Sequence, residues 1–180
     1  MQNPFTLTFG KSPLEPIERP LQTMEIVDTF TAETVNQQMF IITGVQGSGK
    51  TVMMTEIARR LREREDWVVI ELNPATDLLQ GMLAKLNSNK VCAAIIKSAK
   101  IDLSFFGFGV AIEGVPPLTD TETAIITILE KLKKQDKRLL ITIDEVTNND
   151  YMKVFAGSFQ IFVRQDLPCL LYTSDAADAL

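Results

Sequence analysis

The chain has 180 residues, of which 46% are hydrophobic and 23% charged, with a formal net charge of −5. That is enough for one α/β domain with a real core and too little for two comfortable ones, and the acidic balance argues against a broad, sequence-independent nucleic-acid face. Histidine is absent, which excludes histidine triads, histidine-ligated zinc and histidine general bases.

Cys92 and Cys169 match no metal spacing and read as buried small hydrophobes of a reducing compartment. The amino terminus, Met1-Gln2-Asn3-Pro4, has neither the basic region nor the apolar core of a signal peptide, and no apolar run approaches a membrane span. The expected location is therefore the cytoplasm, with no membrane partner.

Met1 to Pro20 is broken by Pro4, Pro13, Pro16 and Pro20 but carries Phe5, Leu7, Phe9, Leu14 and Ile17 as apolar anchors. Such a segment can lie across the base edge of a nucleotide or simply cover a sheet. Leu21 to Glu33 has Met24, Val27 and Phe30 at helical spacing, so residues 1–36 read as an extended segment followed by a helix. A core of residues 37–168 then opens with a first strand at Gln38 to Thr43.

That strand runs into Gly44-Val45-Gln46-Gly47-Ser48-Gly49-Lys50-Thr51, and a helical pattern follows from Val52. G-x-x-x-x-G-K-[ST] between a strand and a helix is the arrangement of a phosphate-binding loop. Glycines let the main chain curl round a phosphate, and the N–H groups of the loop and first helical turn point at the anion. Gly44, Gln46, Gly47, Ser48, Gly49, Lys50 and Thr51 are the expected nucleotide contacts. Lys50 adds a point charge at the outer phosphates, and the Thr51 hydroxyl can take one position on Mg²⁺.

Val52, Met54, Ile57, Ala58 and Leu61 line one helix face, while Arg59, Arg60, Arg62, Glu63 and Arg64 form a solvated opposite face. Trp67 to Leu72 is a nearly unbroken apolar strand, suited to a parallel sheet covered on both sides, and Asn73-Pro74 ends it. Leu78 to Leu86 marks a helix capped at Thr76 or Asp77, and a shorter helix is expected from Lys90 to Ala99. Ile101, Leu103, Phe105 and then Phe108, Val110, Ile112 alternate with polar or small residues, which predicts a β-hairpin insertion over 100–115. Gly107-x-Gly109 lacks the spacing of a second nucleotide motif.

Thr119-Asp120-Thr121-Glu122 has capping-box spacing ahead of a helix with Ala124, Ile125, Ile128, Leu129 and Leu132 on its apolar face. Arg138 to Ile143 is a strand that ends in Asp144-Glu145. A mostly apolar strand ending in Asp-Glu is the second signature of ATPases that use a carboxylate base. Strand alternation puts the two carboxylates on opposite sides. Asp144 is then the expected Mg²⁺ holder and Glu145 the group that polarises the attacking water. Asn149 or Asn148 is expected to cap a helix from Asp150 to Gln165; Asn148 could instead face the γ-phosphate, and capping is the preferred reading.

With the loop, the Asp144-Glu145 strand end and the Asn73-Pro74 corner together, residues 5–168 resemble the AAA+ ATPases, on their origin-recognition and signalling side. The resemblance implies an α/β P-loop NTPase: a parallel sheet with helices on both faces, ATP and Mg²⁺ as ligands, and hydrolysis driving a conformational switch. It also implies that the strand after Asp144-Glu145 lies between that strand and the phosphate-loop strand, with Thr173 or Ser174 at its end as a sensor. A protein partner, a homo-oligomer, and DNA are partners by resemblance only. Family members continue with a last strand, an arginine finger and a lid, which are expected to be missing here. Leu170 to Asp178 resembles a translated sequencing adaptor, so residues 169–180 are a doubtful tail. On that expectation a central strand is partly foreign, and the isolated polypeptide is poorly stable and weak or inactive as an ATPase. A P-loop kinase acting on a small molecule and a nucleotide-binding scaffold without turnover are the alternative functions.

Overall fold

A computed structural model of the protein describes residues 20–32, 37–45 and 47–175. The expected extended segment before Pro20, Gln46 of the phosphate loop, and the tail beyond Asp175 lie outside the described residues. Four parallel strands form one sheet: β1 (Met39–Ile42), β2 (Trp67–Leu72), β3 (Arg138–Val146) and β4 (Cys169–Asp175), in the order β1-β4-β3-β2. The resemblance implies that the strand after Asp144-Glu145 lies between that strand and the phosphate-loop strand, and β4 lies there.

Alternate residues of these strands feed two cores. Val68, Ile70, Leu139, Ile141, Ile143 and Leu171 face the larger one, under α3 (Leu78–Ser88), α4 (Lys90–Ser98), α5 (Thr121–Lys133) and α6 (Asp150–Arg164). Trp67, Val69, Leu140, Leu170 and Tyr172 face the smaller one, under α1 (Pro20–Thr31) and α2 (Lys50–Arg62). Covering both faces explains why the strands read as apolar runs instead of alternating ones. At the sheet edge, Met39 and Ile41 of β1 remain exposed.

An aromatic cluster fastens α1. Phe30 is fully buried and meets Phe40 and Tyr172 edge to face, at 5.0 and 6.3 Å between ring centroids. Arg138 donates to the carbonyls of Phe30 and Ala32 at 2.9 and 3.0 Å, so a cation holds the carboxyl end of α1, where free carbonyls and the helix dipole favour it. The same guanidinium lies 6.0 Å from the Trp67 ring centre. Cys92 and Cys169 are free and buried, and burial pushes both thiols up to about 12.

Capping follows local chemistry. Asp77 accepts from the Gln80 amide at 3.0 Å, Asp120 from Thr123 at 2.7 Å, and Asn149 from Met152 at 2.9 Å. The Asp120 carboxylate thus takes the cap one residue later than the Thr119–Glu122 spacing suggested. No helix among the described residues is long and apolar enough to cross a membrane.

The β-hairpin expected over 100–115 does not form. Residues 101–118 make an irregular loop with one short 3₁₀ turn, Ser104–Phe106. The reason is Asp102, which is buried and pulls the loop in on itself: its carboxylate accepts from the Ser104 and Ile112 amides at 2.9 and 2.8 Å, and its carbonyl accepts from the Leu118 amide at 3.0 Å. Hydrogen bonds from Ser104, and next from the Ile112 amide, hold that carboxyl below its ordinary range. Residues that share a phase of the alternation part company: Leu103 and Phe108 pack on the core, as does Phe106, while Phe105 and Val110 are exposed.

Candidate phosphate and metal site

The loop between β1 and α2 closes as its sequence predicts. The Ser48 amide donates to the Val45 carbonyl at 3.1 Å, and Gly49 caps α2 at φ 86°, a left-handed conformation that favours glycine. A Cβ on Gly44 would meet the Ser48 hydroxyl oxygen at 3.0 Å, so that position too wants the smallest residue. The first amides of a helix lack an intrahelical acceptor, and a helix start after such a glycine loop suits an anion.

Lys50 and Thr51 are the first two residues of α2. The Lys50 ammonium donates to the Gly44 carbonyl and lies 3.2 Å from a carboxylate oxygen of Asp175. The Thr51 hydroxyl donates to Asp144 at 2.7 Å, although 93 residues separate them. The order β1-β4-β3 explains this: α2 starts above β1 and β3 ends two strands away, so both reach the carboxyl edge of the sheet across β4. Ser174, near the end of β4, donates its hydroxyl to the other oxygen of Asp144. Of the two sensor candidates, Thr173 and Ser174, it is Ser174 that makes this contact.

Glu145 departs from simple strand alternation. Pairing of β3 with β4 shifts between Ile143 and Val146, leaving one extra residue on β3. Glu145 takes up that excess at φ 55°. Its amide donates to Asp144 at 3.1 Å and to the Ser174 hydroxyl at 3.0 Å, and its side chain is exposed. The two carboxylates are still separated, but by a left-handed bulge and not by the pleat. Nothing in the sequence marks a bulge at a non-glycine residue.

Downstream, the cap of α6 that the sequence left open between the two asparagines is Asn149, and Asn148 is exposed. The Asn149 amide nitrogen also donates to the Pro74 carbonyl at 2.9 Å, a contact the sequence does not announce. Asp175 against Lys50 is a second such contact, because it depends on how far β4 extends.

Among the described residues no group of three or more His, Cys, Asp and Glu side chains is placed to hold a metal ion. Thr51 and Asp144 instead offer two hard oxygens at hydrogen-bond distance. That donor set fits Mg²⁺, which takes one or two protein oxygens and completes its shell with water and substrate phosphates.

A parallel sheet in this strand order, with a glycine loop opening the helix after β1, defines a P-loop nucleoside-triphosphatase fold. The chain belongs to the family described as "Type III restriction enzyme, res subunit", whose model matches residues 16–163. Among solved structures, Cdc6p from Pyrobaculum aerophilum shares the fold, with a TM-score of 0.54 and 15% identity over 96% of this chain and 42% of that one. C. elegans PCH-2 is more distant, with a TM-score of 0.44 and 15% identity over 89% of this chain and 38% of that one. The chain thus spans less than half the length of either protein. No curated protein sequence matches it.

Proposed function

We propose that the chain binds ATP with Mg²⁺ at Gly44 to Thr51 and hydrolyses it, and that the exchange of ATP for ADP drives a conformational switch. The observation that carries this reading is the 2.7 Å contact between Thr51 and Asp144, which unites the two halves of a phosphate-and-metal site. In this reading the amides of Gly47, Ser48 and Gly49, with Gln46, wrap the phosphates. Lys50 leaves Gly44 and Asp175 to meet the outer phosphates. Thr51 and Asp144 hold Mg²⁺, which neutralises phosphate charge when bound. Glu145, exposed and on a separate branch of the bulge, orients and polarises the attacking water.

Binding would order the loops above the sheet, and loss of the γ-phosphate would release them. The family is named for a restriction-enzyme subunit; DNA, a protein partner or a second copy are the candidate partners of this chain, in the cytoplasm. Phosphate release from ATP by the purified chain is the test. The proposal expects release that needs Mg²⁺, stops with a chelator and requires no added acceptor. Phosphate transfer to a metabolite with no release in its absence would establish a kinase instead, and tight ATP binding with no chemistry would establish a scaffold.

A further inference from the structure

Asn149 does more than its cap requires. Capping α6 uses only its side-chain oxygen, which accepts from the Met152 amide at 2.9 Å. Its nitrogen donates across to the Pro74 carbonyl at 2.9 Å and to the Thr147 hydroxyl at 3.2 Å. One partner is a backbone donor and another a backbone acceptor, so the assignment of oxygen and nitrogen follows from the network. Asp, Ser or Thr would cap the helix as well. Only an amide carries its donor on a separate atom from the capping oxygen, so that it can cap and reach a second, distant partner.

The second contact joins the loop after β3 to the corner after β2, and the Glu145 bulge lies one residue before the end of β3. Glu145 at φ 55° is in a conformation that non-glycine residues rarely adopt, and such residues persist where their surroundings hold them. On the sheet side the bulge is held by Asp144 and Ser174, which accept from the Glu145 amide. On the other side Val146 pairs with Asp175 of β4 and packs on the core, Thr147 and Asn148 are exposed, and Asn149 makes the next anchor, to the corner after β2.

We propose that Asn149 is a positioning residue, whose tie to Pro74 fixes the Glu145 bulge and so the place from which the Glu145 carboxylate acts. The catalytic part of this inference rests on the proposed role of Glu145; the mechanical part does not.

Asn149→Asp separates the two functions of the side chain. A carboxylate still accepts from Met152, but it offers an acceptor to the Pro74 carbonyl and cannot donate. Asn149→Ser is the uncharged counterpart, able to cap but too short to tie. Amide hydrogen exchange on the whole chain is expected to speed up about tenfold from Glu145 to Asn148 in both variants, with the Met152 amide and the unfolding midpoint unchanged. Turnover of ATP with Mg²⁺ is expected to fall about tenfold in kcat at constant KM, the mark of misplaced catalytic groups.

Unchanged exchange from Glu145 to Asn148 in both variants overturns the proposal, whatever the activity. Faster exchange with unchanged kcat in an active protein overturns the positioning role. If the wild type and Glu145→Gln turn over equally, the assignment of Glu145 fails, while the exchange data still decide whether Asn149 holds the bulge.

Discussion

Glu145→Gln is expected to bind ATP as tightly as the wild type and to hydrolyse it about 10²- to 10⁴-fold more slowly, the usual range for losing a general base. The substitution is close to isosteric, and the side chain is exposed, so no packing is lost. The bulge is held through the backbone amide, which the variant keeps. Glutamine also tolerates φ 55° no worse than glutamate, since both carry the same Cβ. Only the ability to accept a proton from water disappears. The nucleotide's contacts with the loop amides and with Lys50 are untouched, so binding and turnover should separate. Parallel measurement of ATP affinity and phosphate release checks this, and equal turnover in the variant would remove Glu145 from the role of base.

Phe30→Ala should be the most damaging single truncation on the α1 side, costing about 3–5 kcal/mol as large aromatic deletions in cores do. Phe30 is fully buried at the meeting point of α1 with Phe40, Trp67 and Tyr172. Its removal leaves a cavity with rigid aromatic walls, which relax little. The Arg138 bonds at the end of α1 go to main-chain carbonyls and survive, so they limit the damage to packing. Denaturant unfolding followed by circular dichroism reads the cost as a lower midpoint at unchanged slope. A change of slope would mean that α1 undocks separately; a loss below about 1 kcal/mol would mean that the aromatic cluster does not fasten the helix.

The sheet and the phosphate loop were legible because their signals are local. Trp67 to Leu72 and Arg138 to Ile143 are apolar without alternation, as strands buried on both faces must be. The loop declares itself by glycine spacing, and Gly49 at φ 86° shows why glycine is required there. Helix starts followed cap chemistry to within a residue at Asp77, Asp120 and Asn149. The segment 101–118 was misread because period-two alternation cannot tell a hairpin from a loop wrapped on its own carboxylate. Asp102, the residue that decides between them, looks like any other strand-flanking aspartate. The Glu145 bulge was hidden for a related reason: strand register is a property of pairs, set here by where β3 and β4 meet. The Asn149–Pro74 tie spans 75 residues and likewise exists only after folding.

The central claim is that Gly44 to Thr51 holds the phosphates of ATP. Calorimetric titration of the chain with ATP and Mg²⁺, beside Lys50→Ala, tests it most directly. The Lys50 ammonium lies beside the Gly44 carbonyl and the Asp175 carboxylate, at the mouth of the loop. The account predicts one ATP site per chain in the wild type and no measurable binding in the variant at an unchanged unfolding midpoint. ATP binding of equal strength in Lys50→Ala would contradict it.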